Sequence, residues 1–421
     1  MDIKPMLLKQ TNKTINLMFP QYKLNKNKTG LVAQGYWMEM RIVLDQDNNY
    51  VGLKPKYEKQ EELDIPSEVK YNKVMYPVTA IGNRAFSDCE DLASVIIPDT
   101  VTKIGDFAFS GCSNLESIVI PDSVKEIGKC AFQLCRRLKQ IHIPKSITKI
   151  GGGAFAGCFS LKEICIPNTV KKIWKEAFTW SKITNFVIPD SVREIGERAF
   201  AYCLNLQTIH IPDSVRKIGE RAFEYSYNMS KIQISDSVKS IGRAAFACCE
   251  ELSEVNIPNS VKKIEELTFD TCKDLTRIVI PNSVTEISDF AFSRCRNLAD
   301  IVIPSTVTRI GDSAFRGCES LTDIVIPDSV IEIGIEAFYY CKGLKSIHIS
   351  NSVKVIGENA FAYCENLEEI IIDDASLLVN AGLRQGVRIF DRKCTLGNII
   401  QAIQDHYTKS GQETSLKKIE K

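Results

Sequence analysis

The chain has little that would suit an enzyme, a membrane protein or a nucleic-acid binder. Its 421 residues include only four histidines and three tryptophans. No Gly-x-Ser-x-Gly elbow, phosphate-binding loop, His-Glu-x-x-His or Cys-x-x-Cys pair occurs. That argues against hydrolase, nucleotide and zinc chemistry. No run of 18 or more apolar residues exists, so no transmembrane helix is expected. The first twenty residues lack an uninterrupted apolar core and a small-residue cleavage site, which argues against a secretory signal. Charge of one sign is missing as well: 53 Lys and Arg face 52 Asp and Glu, a net of +1. A polyanionic partner such as nucleic acid is disfavoured by that balance.

What is present is repetition. A phrase close to Ile-Pro-Asp-Ser-Val-x-x-Ile-Gly-x-x-Ala-Phe-x-x-Cys-x-x-Leu-x-x-Ile recurs thirteen times, its phenylalanine running from Phe86 to Phe361. Eleven of the twelve intervals are 23 residues, and Phe178 to Phe200 is 22. A period of 20–29 residues with Leu and Ile at fixed offsets marks a leucine-rich-repeat solenoid. The expected fold has about 13 repeats of 23 residues, with a parallel β-sheet on the concave face. Short extended and helical turns lie opposite, and both ends are capped. In one repeat, Val95-Ile96-Ile97 is β-branched and strand-like. Pro98 ends it for want of a backbone donor. Val101 and Ile104 suggest a second extended piece, and Ala108, Phe109, Cys112 and Leu115 have helix-like spacing. No repeat can bury its faces alone, so thirteen of them form one continuous core.

The phrase resembles the BspA-like, or Treponema-pallidum-type, leucine-rich-repeat family over about residues 63–373, and Ile65–Gly82 looks like the widened first repeat of that family. The resemblance implies binding rather than catalysis. It also implies a surface or secreted protein that attaches to a host matrix or cell-surface protein. The absent signal points the other way, to a protein that stays inside the cell.

The predicted organisation is a loose arm over 1–30, a β-hairpin cap over 31–64 built on Tyr36–Leu53, and the solenoid over 65–373. A C-terminal cap follows over 374–408, with an amphipathic helix on Leu396, Ile399, Ile400 and Ile403, and then a charged tail over 409–421. Eleven of the fifteen cysteines sit three residues after the repeat phenylalanine, where Ser181 and Ser226 stand in two repeats. A slot that accepts Cys or Ser holds a small side chain bonded to backbone, so these read as reduced, buried thiols in a reducing setting.

Three columns are candidates for function. The outward mid-strand position carries Val279, Val302 and Val325 on consecutive strands, edged by Arg277, Asp300 and Asp323. These form either a protein-docking strip or plain β-formers. The same column holds His142, His210 and His348. His142 and His210 are three repeats apart, roughly 15 Å at the strand spacing, too far to share a metal. They read as polar surface residues. Cys165 lies in this column too, with His142 as its only neighbouring base. The second column, two residues after the phenylalanine, holds Trp180, Tyr202 and Tyr225, then Tyr340 and Tyr363. These rings pack on neighbouring turns, anchor a protein or stack on sugar. The third is a Lys/Arg stripe at Lys171, Lys172, Arg193, Arg216, Lys217, Lys239, Lys262 and Lys263, interleaved with Glu194, Glu197 and Glu220. It is a solvated face or a polyanion contact.

The sequence thus points to a non-enzymatic protein-binding solenoid, adhesin-like, with no cofactor and no metal. An intracellular scaffold and a carbohydrate-binding solenoid are the alternatives.

Overall fold

The computed structural model describes residues 21–24, 31–34, 62–71 and 74–391. The predicted hairpin over Tyr36–Leu53, the helix over 396–408 and the charged tail lie outside them. The chain divides into two compact units, Met1–Leu206 and Gln207–Lys421. Each is a stack of parallel-stranded turns, and the chain makes about 14 turns of about 23 residues with almost no helix.

Most turns supply two short strands, while the turns through Cys165 and Val187 supply only the second. In Met1–Leu206 the first ladder runs through Glu62–Asp64, Ser94–Ile96, Ser117–Val119 and Gln140–His142, all parallel. The second joins Val74–Ile81, Lys103–Ile104, Glu126–Ile127 and Lys149–Ile150. Alternation along the first ladder buries Ile118 and Ile141 and exposes their neighbours. The widened first repeat spends its extra residues on an antiparallel hairpin, Glu68–Tyr71 against Val74–Ile81. Within the arm expected over 1–30, Gln21–Leu24 is a strand. It pairs antiparallel with Leu31–Gln34, which continues in parallel onto Val74–Ile81. In Gln207–Lys421 one run of the first ladder passes through Asp323–Val325, Ser346–His348 and Glu369–Ile372.

The consensus residues each have a structural task. The proline carbonyl closes a turn: Val101 N–H donates to Pro98 O at 3.0 Å. Where Ser235 replaces proline, Val238 N–H makes the same bond at 3.1 Å. The serine before the valine pegs one turn to the last, as Ser123 Oγ donates to Val101 O at 2.6 Å and Ser283 Oγ to Val261 O at 2.6 Å. The glycine after the isoleucine, present in ten repeats, allows close approach of the neighbouring turn, although Trp174, Glu265 and Ser288 take that slot in the other three. A Cβ on Gly128 would stand 2.4 Å from the backbone carbon of Gly105.

The Ala-Phe segment differs from its helix-like spacing. The N–H groups of Phe107, Phe109 and Gly111 reach across to the next turn, each at 2.8 Å, while those of Ser110 and Cys112 bond three residues back. Positive φ at Phe107 (57°) and Gly111 (78°) marks type II β-turns. All thirteen repeats place two residues in this left-handed region, 22 of them not glycine. Each costs about 1–2 kcal/mol. A helix would bond every N–H within its own turn and leave the stack unjoined. Alternation instead gives half the donors to the next turn.

The core is a file of rings. Phe86 to Phe200 in the first unit, and Phe223 to Phe361 in the second, stack face to face at 5.3–5.7 Å where their spacings are resolved. Beside it runs a file of thiols, and the ten from Cys112 to Cys364 donate to the phenylalanine carbonyl one turn back. Cys112 Sγ lies 3.0 Å from Phe86 O and Cys295 Sγ 3.1 Å from Phe269 O. Burial pushes these thiols up, Cys158 and Cys203 to about 12. Ser181 and Ser226 are equally buried in the same slot, and Ser181 Oγ lies 3.5 Å from Cys203 Sγ.

The 22-residue repeat loses its residue between Ser181 and Ile183, and Ile183 takes the leucine slot with no exposure. Phe186 takes the isoleucine slot and wedges its edge against Phe178 and Phe200, at 5.1 and 4.8 Å. Past Asp373, where the consensus ends, the chain makes one more turn. Asp374 caps a 3-10 helix, Ala375–Leu378. Phe361 N–H donates to Ala381 O, and Gly382 follows where a phenylalanine would stand. Arg388–Asp391 then adds a strand parallel to Glu369–Ile372.

Candidate interaction surface

A short parallel strand with a buried central Ile must expose the residue on either side. Repetition in register turns those residues into rows. In Gln207–Lys421, Val279 pairs with Val302, and both are exposed, at 63% and 69%. Strand pairing breaks between Asp300–Val302 and Asp323–Val325. Val325, 65% exposed, therefore heads a second row that continues through His348 and Ile371 to Phe390. Phe390, 47% exposed, belongs to the added fourteenth turn and lies outside the columns read from the repeat. Its signal is the run Arg388-Ile389-Phe390, which copies the pattern Arg277-Ile278-Val279.

The flanking row is polar. Arg277 Nε lies 3.0 Å from Asp300 Oδ2, and Asp323 Oδ1 accepts from Ser346 Oγ at 2.9 Å. Both members of the ion pair are well exposed, so it contributes little to stability. In Met1–Leu206 the corresponding row holds Ile96, Val119 and His142 in register, the first two 62% and 69% exposed. His210 pairs with Gln233. Among the described residues no group of three or more His, Cys, Asp or Glu side chains is placed to hold a metal. Cys165 is exposed.

The aromatic column occupies the second left-handed position of each repeat, a slot that holds residues from glycine to tryptophan. Trp180 and Tyr202 stack at 4.0 Å with 10° between their planes. Trp180 is 44% exposed, so the pair both packs and shows a face to solvent. Tyr225 meets Tyr227 edge-on at 5.9 Å. Lys172, Lys217 and Lys263 of the basic stripe fall on the second ladder, where Lys172 and Lys263 each find an acid one turn away. Lys172 lies 2.8 Å from Glu194, Lys263 lies 3.0 Å from Glu286, and Arg309 lies 3.4 Å from both Glu286 and Glu332. Such pairing leaves less charge for a polyanion. Among the described residues no helix is long and apolar enough to cross a membrane.

Parallel ladders, a ring file and exposed in-register rows define a leucine-rich-repeat solenoid. The profile of the BspA type leucine-rich-repeat region matches in six copies, over residues 66–182, 171–299 and 285–382, and the chain belongs to that family. A leucine-rich-repeat protein of Bacteroides ovatus is 28% identical with a TM-score of 0.71, covering 90% of this chain and 99% of its own. A leucine-rich cell surface protein of Faecalibacterium prausnitzii is 30% identical with a TM-score of 0.52, covering 86% of this chain and 95% of its own. The pneumococcal vaccine antigen PcpA shares the fold at 18% identity and a TM-score of 0.58, covering 98% of this chain and 100% of its own. No curated protein matches the chain.

Proposed function

We propose that this chain is a non-enzymatic, adhesin-like solenoid that docks a partner protein on the exposed strand row of Gln207–Lys421. The observation that carries the reading is the row itself: Val279 paired with Val302, then Val325 leading to His348, Ile371 and Phe390. Exposed apolar residues held in register on rigid strands suit shape-matched docking, and clustered rather than scattered apolar exposure marks an interface. The Trp180–Tyr202 pair is a second anchor of the residue types that dominate interface energies. The Faecalibacterium relative is described as a cell surface protein, which supports display on the cell exterior, and the partner proposed for such a display is a host matrix or cell-surface protein.

The test uses the full chain against immobilised extracellular-matrix proteins and intact epithelial cells. Changing Val279, Val302 and Val325 together to Ser should weaken adhesion at least about tenfold, while the melting temperature barely moves because exposed changes cost within about 0.5 kcal/mol each. Unchanged adhesion in the folded variant would sink the docking row. One observation favours a second reading, an intracellular scaffold using the same surface: the file of unpaired buried thiols suits a reducing compartment. External protease on intact source cells separates the two. Cleavage supports the adhesin, and protection supports the scaffold.

A further inference from the structure

The Ala-Phe turns of three successive repeats in Gln207–Lys421 bring Arg294, Arg296, Arg316, Tyr339 and Tyr340 around a cavity of about 290 Å³, with Glu319 also on its wall. None of these belongs to the strand row. Arg294 sits in the left-handed position of its repeat, is exposed, and makes no ion pair among the described residues. Arg296 Nε lies 3.3 Å from Glu319 Oε1. Arg316 pairs through Nη1 with Glu336, and its guanidinium lies 4.5 Å from the centre of the Tyr339 ring. Lys342 Nζ stands 4.4 Å from the Tyr340 ring centre and 3.2 Å from Glu365.

This wall is almost wholly made of donors. Each guanidinium has five N–H groups and no acceptor, and each phenol can donate one O–H as well as accept. The single lining carboxylate, Glu319, is already engaged by Arg296. A sugar needs acceptors for its own hydroxyls as well as donors, so it fits this wall poorly. A group that only accepts fits it well. One acid per arginine uses a fraction of the donors on Arg296 and Arg316, and Arg294 has all of its own to offer. The volume is just below the range of about 300–1,000 Å³ usual for small-molecule sites, which suits one or two side chains of a larger ligand. Arg and Tyr are also the types that carry binding energy at protein interfaces.

We infer that this turn surface is a second interaction site, one that takes the side-chain carboxylates of an acidic protein segment. Guanidinium forks hold such carboxylates in parallel charge-assisted bonds, and the fixed turns set their spacing.

Fluorescence anisotropy of a labelled hexaglutamate peptide on the full chain, at about 0.15 M salt, tests the site. Arg294→Gln should weaken binding about tenfold, the loss of one charge-assisted contact. Arg137→Gln, in the other unit, should leave it unchanged, and hexaglutamine should not bind. The triple Ser change at Val279, Val302 and Val325 should leave hexaglutamate binding intact, so this site and the docking row stand or fall separately. The inference is overturned if hexaglutamate does not bind, or if Arg294→Gln binds it as well as the parent. It is equally overturned if a sulfated polysaccharide or a phosphoserine peptide binds through Arg294 while hexaglutamate does not.

Discussion

Phe292→Ala will cost more than Phe361→Ala, although both side chains are buried to within 1%. Removing either ring forfeits its burial and leaves a cavity, about 3–5 kcal/mol in each case. The difference lies in the neighbours. Phe292 is sandwiched between Phe269 at 5.4 Å and Phe315 at 5.5 Å, with its plane within 7° of both. Phe361 has one stacked partner, Phe338 at 5.7 Å, and its other side meets the turn where Gly382 replaces a ring. A stacked pair adds about 0.5–1.5 kcal/mol beyond burial. Phe292→Ala loses two pairs and Phe361→Ala one, so the gap should be about 1 kcal/mol. Urea denaturation followed by circular dichroism measures it, provided the slope is common to both variants. Phe292→Leu is the companion variant, because it keeps most of the volume and loses both stacks. Equal costs for the two alanine variants, together with a Phe292→Leu cost near zero, would refute the claim that the ring file contributes more than buried area.

Three further outcomes follow from particular residues. Burial pushes the Asp270 carboxyl above the usual aspartate range, against hydrogen bonds from Ser293 and Thr271 and the charge of Arg294. With the folded value above the unfolded one of about 3.9, ionised Asp270 opposes folding at neutral pH, and that cost fades as pH falls through the folded value. Asp270→Asn should therefore raise the melting temperature at neutral pH and lose its advantage near pH 3; destabilisation at neutral pH would contradict this account. In native protein a maleimide should label Cys165 rapidly, whereas Cys135, Cys158 and Cys318 should react only on unfolding, as read by peptide mass spectrometry. Gly128→Ala should destabilise by about 1–3 kcal/mol, because its methyl meets immovable backbone. Gly317→Ala should cost only about 1 kcal/mol, because the nearest atom to its methyl would be 3.7 Å away and strain at φ +69° is all it adds; thermal melts that reverse this order would show the glycine slot to be more yielding than its geometry implies.

The rows of exposed residues are legible in the residue order, because a strand alternates and a fixed period copies that alternation from turn to turn. That logic places Val279, Val302 and Val325 outward and the cysteine slot inward. It misses Phe390, since the consensus ends at Asp373 and the short run Arg388-Ile389-Phe390 stands out as a further turn once strand pairing places it. It also gives the Ala-Phe segment helix-like spacing. Apolar residues at i, i+3 and i+6 suit a helix and a chain of type II turns alike, and neither φ nor the direction of an N–H is written in that spacing.

The period, the inward residues and the family came from the sequence alone, because each is a matter of which residue recurs at which interval. Three things were left to the tertiary structure. It decided that half the turn amides bond across the stack, that Ser123 and its copies peg one turn to the next, and that Arg294, Arg296 and Arg316 line one cavity. All three depend on contacts between residues about a full turn apart, where the partner is set by how neighbouring turns lie on one another and not by the order of residues within either.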